Sequence, residues 1–251
     1  MEAGELGLLA RNGWLVILYT LMDPQKLFKH IHDYFAWRVL FGHNTFVFYM
    51  VITLNIDPRR MEKNTRSGKI IFKYEDIVSM PEAPEGPRIE LIKGDLFMAP
   101  SPTVKHQLIL MKLHIAFDDF LKKQSIGKIF IAPVDVLLSE SDVVVPDFFF
   151  ILNEHDSIIQ EKNVKGTPDF IIEVLSTNED QDKLFKKALY EQFKVKEYWI
   201  IDAKKNTVEV FVLSEVSGKY GKGKSHSMQD RVSSTVVQGF SLAVQDLLTT
   251  Q

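Results

Sequence analysis

The chain has no cysteine among its 251 residues. That excludes disulfide staples, thiolate zinc sites and cysteine nucleophiles. Nor does charge of one sign dominate: 30 Lys and Arg against 33 Asp and Glu leave a net charge of −3. No global basic field draws the chain to nucleic acid, so any such contact needs a local patch or a metal ion that screens phosphate. The seven histidines form no HExxH or other tight ligand pair; His30 and His32, two apart, do not share a helix face. Long apolar runs are missing too. The runs Gly13 to Tyr19 and Thr45 to Ile52 fall short of the roughly 20 residues that span a bilayer. The longer stretch from Phe35 to Ile56 is broken by Arg38, His43 and Asn44. No basic segment leads into an apolar core with a small-residue cleavage site, so neither a secretory signal nor stable membrane association is expected. A reducing cytoplasm is the expected location.

What is present is the composition of an ordinary globular protein, 45% apolar and 25% charged, and enough chain for one sizeable core. Residues 1–60 read apart from the rest, as an added structural element, a membrane-associated hairpin, or the product of too early a start codon. Met61 opens a polar stretch to Lys69 that reads as a natural amino terminus. The expected division is an atypical extension over 1–60 and a single domain over 61–251.

From Lys69 the pattern is regular. Ile70 to Ile77 leads into a short helix, and the proline-rich run Pro81 to Pro87 is a loop. Arg88 to Met98, with Lys93-Gly94 at its centre, reads as a hairpin. A long helix is predicted over Thr103 to Gln124 from Leu110, Leu113, Phe117, Phe120 and Leu121, with Ser101 or Thr103 as its cap. Strands are predicted over Lys128 to Leu138, Val143 to Leu152, Asp169 to Leu175, Tyr198 to Ile201 and Val208 to Val212. A second helix spans Glu179 to Lys194, residues 214–235 form a loop or mobile hairpin, and Phe240 to Leu248 closes with a short helix. This order predicts a mixed α/β sheet flanked by helices.

Two strands carry acids where strands avoid them. Asp147 follows Val143-Val144-Val145-Pro146 and precedes three phenylalanines; Glu173 stands inside Phe170-Ile171-Ile172 and Val174-Leu175. An unpaired carboxylate in such surroundings is costly, and a rule broken twice marks a functional site. Two carboxylates brought together repel unless a proton or a hard cation intervenes, and oxygen ligands of this kind suit Mg²⁺ or Mn²⁺. The plainer reading places each acid at a strand end beside a surface lysine. On the second helix, Leu184, Phe185, Ala188, Leu189 and Phe193 define a predicted buried stripe, with Lys186 at its edge and leaning toward Glu173. An Asp182–Lys186 pair on a solvated helix edge is equally consistent with the spacing. Asp169, preceded by Pro168, competes with Asp147. It stands over about 12 Å from Glu173 along a strand, too far for one ion.

The string Pro168 to Ser176, then Asp182, Lys186 and Tyr190, then Glu197-Tyr198-Trp199-Ile200-Ile201-Asp202, resembles the Uma-two family of bacterial restriction-endonuclease-like proteins, within the PD-(D/E)xK nuclease superfamily. Glu90 to Leu96 resembles the family's opening hairpin. Pro100-Ser101-Pro102 with His106-Gln107 resembles its first helix entry, and Pro133 to Val136 and Val145-Pro146-Asp147 its central strands. The likeness covers residues 70–248 and omits 1–60. It implies a restriction-endonuclease-like fold and metal-dependent hydrolysis of DNA. By position it makes Asp147 the first acid, Glu173 the second, Lys186 the lysine and Glu90 an accessory acid at the metal. Two departures stand out. The superfamily pattern puts its lysine two residues after the second acid, and that position is Leu175; and Ser176-Thr177-Asn178 is shorter than the family's proline-containing loop. The departures leave a catalytically inactive binding module as the alternative. Cleavage of both strands of DNA would call for a homodimer.

Overall fold

The computed structural model describes residues 7–11, 14–21, 40–42, 45–55, 71–78, 88–99, 101–175 and 179–249, with backbone alone for the first four stretches, for 98–99 and for 179–184. The stretch Met61 to Lys69, the loop Pro81 to Pro87 and Ser176 to Asn178 lie outside the described residues, as does the side chain of Asp182. The chain divides into two compact units, Met1–Gly86 and Pro87–Gln251.

In the first unit, β1 (Gly7–Arg11), β2 (Trp14–Leu21), β3 (Leu40–Gly42) and β4 (Thr45–Asn55) make an antiparallel sheet in the order β1-β2-β4-β3. Its apolar runs are thus strands, as their aromatic and β-branched content favours. Helix α1 (Tyr74–Val78) follows, where a short helix was predicted.

The second unit holds the acids. β5 (Arg88–Ile92) and β6 (Asp95–Ala99) form the expected hairpin. Lys93 and Gly94 both take positive φ, 54° and 76°, the mirror-image turn whose twist matches the strands. α2 (Val104–Leu121) starts at Thr103, whose Oγ1 accepts the His106 N–H at 3.2 Å. Then come β7 (Gly127–Ile131), β8 (Val136–Leu137), β9 (Val143–Val144), β10 (Phe148–Leu152), β11 (Val164–Lys165) and β12 (Phe170–Val174). α3 (Glu179–Gln192), β13 (Glu197–Asp202), β14 (Thr207–Val212), β15 (Lys224–His226), β16 (Arg231–Ser233), β17 (Ser241–Ala243) and α4 (Val244–Leu248) complete it. The segment 214–235, expected to be a loop or hairpin, supplies β15 and β16 to two different sheets.

The central sheet runs β15-β14-β13-β12-β10-β7, and a second sheet runs β11-β8-β9-β5-β6. In the central sheet β12 and β13 are parallel, joined through α3, and the other neighbours are antiparallel. Side chains alternate between its faces. Phe148, Phe150, Phe170, Ile172 and Trp199 meet Ile109, Leu110, Leu113 and Phe117 of α2. Phe149, Ile151, Ile171, Tyr198 and Ile200 meet Leu189 and Tyr190 of α3, with Ile92, Val136 and Val144 of the second sheet. Burial on both faces explains why these strands read as unbroken apolar runs.

Two expectations need correction. The predicted strands 128–138 and 143–152 are each two strands in different sheets: β7 and β10 belong to the central sheet, β8 and β9 to the second. Each break contains a proline, Pro133 or Pro146, which has no N–H for a ladder. Asp147 therefore emerges where the chain crosses between sheets. The buried stripe of α3 is also rotated from its predicted position. Phe185 is 51% exposed and Ala188 is exposed, while Leu189 and Tyr190 are buried and Lys186 and Phe193 half-buried. Lys186 thus lies on the inward stripe 186/189/190/193, because its ammonium has carboxylates to meet inside.

Candidate active site

The register of the central sheet pairs Phe148 with Ile172. One step further along the same ladder sets Asp147 opposite Glu173, and the bond from Ala132 N–H to Asp147 O at 3.1 Å keeps this end in place on the β7 side. Directly opposed side chains share a face, with Cβ atoms about 4.5–5.5 Å apart. That face is the one toward α3, shared with Phe149 and Ile171. Glu90 arrives from β5 in the second sheet and Lys186 from α3. The Lys186 ammonium donates to Glu90 Oε1 and to Glu173 Oε1, each at 3.0 Å. Glu90, Asp147, Glu173 and Lys186, all singled out in the sequence, are therefore brought together.

The carboxylate oxygens are not equivalent. Asp147 Oδ2 accepts the Val174 N–H at 2.9 Å and pairs with His106 Nε2 at 3.0 Å. Its Oδ1 has one long contact, to the Arg88 guanidinium at 3.5 Å. Glu173 Oε1 accepts from Lys186 and from the Tyr190 hydroxyl, the latter at 2.7 Å. Its Oε2 takes no donor from the described residues. Glu90 Oε1 accepts the Val145 N–H at 2.8 Å besides Lys186. Each acid is thus tied through one oxygen and open, or nearly so, at the other. All three acids are buried, and donors of this kind offset the cost of burying them.

Burial and crowding separate the two acids electrostatically. Burial is the main force on Glu173; Asp147 and Glu90 add to it, Lys186 and Tyr190 oppose it, and the balance pushes the carboxyl up to about 7. Burial also acts on Asp147, but the His106 bond and charge, with Lys186 and the Val174 N–H, together hold it below the usual carboxylate range. Burial works against the Lys186 ammonium, yet Glu173, Glu90 and Asp147 outweigh it and keep it charged. Burial and the same acids push the Tyr190 hydroxyl well up, so it stays a neutral donor.

Among the described residues no three His, Asp or Glu side chains stand in a metal-binding arrangement. Lys186 lies between Glu90 and Glu173 instead. The donor set still fits magnesium, which takes one or two carboxylates and completes its shell with water and phosphate oxygens. Asp147 Oδ1 and Glu173 Oε2 are the oxygens left for it.

Asp169 is not part of this cluster. It is buried at the far end of β12, where its carboxylate accepts the Leu152 N–H at 2.9 Å and pairs with His155 and Lys196. Gln107 is exposed. Tyr198 and Trp199 pack in the two cores, and the Trp199 Nε1–H donates to the buried Glu197. Sequence reasoning placed His106 at a helix entry and named Tyr190 within the family-like string, without seeing that both reach the acids. It gave Arg88 no role. The helix spacing of Lys186 and Tyr190, four apart, was the one signal that could have joined those two.

A mixed sheet with acids opposed at one strand end and a lysine over them is the restriction-endonuclease-like α/β fold. The same fold occurs in the crystal structure of a "putative nuclease belonging to DUF820" from Anabaena variabilis ATCC 29413, which matches with a TM-score of 0.59 at 20% identity over 70% of this chain and 97% of that one. Residues 74–245 match the Uma2 family, described as "putative restriction endonuclease", and the chain belongs to that family. No match is found among curated proteins. Among the described residues no helix is long and apolar enough to cross a membrane.

Proposed function

We propose that this protein is a metal-dependent endonuclease that hydrolyses DNA phosphodiester bonds, with Asp147 and Glu173 holding Mg²⁺ or Mn²⁺. The supporting observation is that two opposed carboxylates are each anchored through one oxygen by two donors, which leaves the other oxygen of each with at most one long contact among the described residues. Family membership points the same way. When bound, the ion polarises the phosphate and makes water more acidic. Asp147 and Glu173 orient the site. Lys186, fixed by two acids, stabilises charge that develops on the phosphate oxygens. Glu90, as accessory acid, holds Lys186 and adds negative charge beside the ion.

Residues 61–251 form the functional domain in this reading, and 1–60 are an extension. A chain beginning at Met61 therefore folds and keeps cleavage activity, which unfolding and nicking assays check. A homodimer would place two sites on two strands, and a DNA substrate goes with a cytoplasmic location.

The decisive comparison is magnesium-dependent cleavage of plasmid DNA by the wild type and by Asp147→Ala and Glu173→Ala. Both variants should fold and lose cleavage; undiminished cleavage by Glu173→Ala removes this role. A non-catalytic nucleic-acid- or protein-binding module is the second reading, favoured by the net charge of −3 and the absence of a three-ligand cluster among the described residues. Calorimetric magnesium titration separates the two. No binding up to about millimolar, the weak end of protein sites for such ions, selects the module.

A further inference from the structure

Arg88 is the first residue of β5, and its backbone is fixed by pairing with Ala99 across the hairpin. Its side chain is 24% exposed, against 8% for Asp147, so the guanidinium is the more accessible of the two groups. The contact between them is long, 3.5 Å, and uses one nitrogen. A guanidinium has five N–H donors in a rigid fork, and among the described residues this one uses no other. Asp147 Oδ1, the oxygen Arg88 touches, is the one left over after Val174 and His106 have taken Oδ2.

Lys186 differs in each respect. It is held at 3.0 Å by two carboxylates, 15% exposed, and its position follows the α3 stripe. A cation at Asp147 Oδ1 would repel the guanidinium and compete for the same lone pairs. Arg88 loses little by leaving a single long contact. A phosphate diester brought to this acid pair offers two oxygens at the spacing of the guanidinium fork, a match that a lysine lacks.

We propose that Arg88 is a substrate-binding residue that clamps the DNA phosphate at this site, parked on Asp147 until a metal ion takes that oxygen. The proposal rests on the nuclease reading and names which group meets the substrate.

The test uses the full chain, a fluorescein-labelled DNA duplex with Ca²⁺ as the ion, and magnesium calorimetry without DNA. Arg88→Gln should bind magnesium as well as the wild type, or more tightly because a competing cation is gone. Its duplex affinity should fall by about 10- to 100-fold, the loss of a charge-assisted contact. The slope of log affinity against log salt should shrink by about one. Arg88→Lys should restore the salt slope while recovering only part of the affinity, because the charge returns and the fork does not. Unchanged duplex affinity and slope in Arg88→Gln would overturn the clamp and leave the nuclease reading standing. Loss of magnesium binding in Arg88→Gln would also overturn it, assigning Arg88 to the integrity of the acid pair. A wild type that binds no duplex in Ca²⁺ overturns the nuclease reading and the clamp together.

Discussion

Lowering pH should drive magnesium off this site with a midpoint set by Glu173 alone. Its carboxyl, 4.5 in an ordinary setting, is pushed up to about 7 by burial, with Asp147 and Glu90 adding to the effect. Asp147 is held low and stays ionised over the same range. A metal needs the ionised carboxylate, so binding must release the proton that Glu173 holds. Below pH 7 the apparent affinity should then fall about tenfold per unit, to about a hundredfold loss at pH 5, with close to one proton released per ion; above about pH 8 both effects vanish. Without metal, the sign for stability is the reverse of the usual carboxylate case. The folded state binds more protons than the unfolded one between 4.5 and about 7, so Glu173 lowers stability as pH rises through that window. About 2.5 units at 1.36 kcal/mol each gives a loss of about 3 kcal/mol once ionisation is complete. Glu173→Gln should flatten that slope and abolish magnesium binding. Calorimetry in two buffers of different ionisation heat counts the protons, and urea unfolding at a series of pH values gives the slope. An affinity that stays constant from pH 5 to 8 would refute the argument, because Glu173 would then be no ligand. A midpoint near the ordinary 4.5 would refute the buried setting.

Tyr190→Phe removes a donor at 2.7 Å from Glu173 Oε1. It should move the Glu173 midpoint further up and cost about 1–2 kcal/mol above that midpoint, less below it, in denaturant unfolding at two pH values. Lys186→Leu should abolish cleavage. Adding Leu175→Lys should return part of it, since position 175 shares the Glu173 face about 6.6 Å along the strand; a folded double variant as inactive as the single one would show that the helix position itself is required.

The sequence displayed some of this and hid the rest for physical reasons. Asp147 and Glu173 were visible because an acid within an apolar strand has a known cost. The hairpin was visible through Lys93-Gly94, and α2 through its helical spacing. The division of 128–138 and 143–152 between two sheets was not, because a continuous apolar run reads the same whether one sheet or two receive it. The prolines at 133 and 146 marked the breaks without saying where the next strand goes. His106 and Arg88 reach Asp147 across 41 and 59 residues, and no local spacing encodes such a contact. The α3 stripe was misjudged because a helical wheel sorts side chains by hydrophobicity, and Lys186 is buried by partners that lie elsewhere in the chain.

The position of that lysine follows from what a helix can deliver and a strand cannot. A lysine at 175 would approach Glu173 along the sheet and bring one donor. α3 crosses above the same face, and its stripe sets Lys186 and Tyr190 one turn apart, so a single rigid element brings two donors to Glu173 Oε1. Two donors fix the orientation of a carboxylate more tightly than one. Asp147 is treated alike from the other side, where the α2 entry supplies His106 and β12 supplies the Val174 N–H to Oδ2. Both acids are thereby oriented by donors from α2, α3 and β12. The ammonium that the pattern of this superfamily would place two residues beyond the second acid can then come from position 186, provided it reaches the same oxygen, and at 3.0 Å it does.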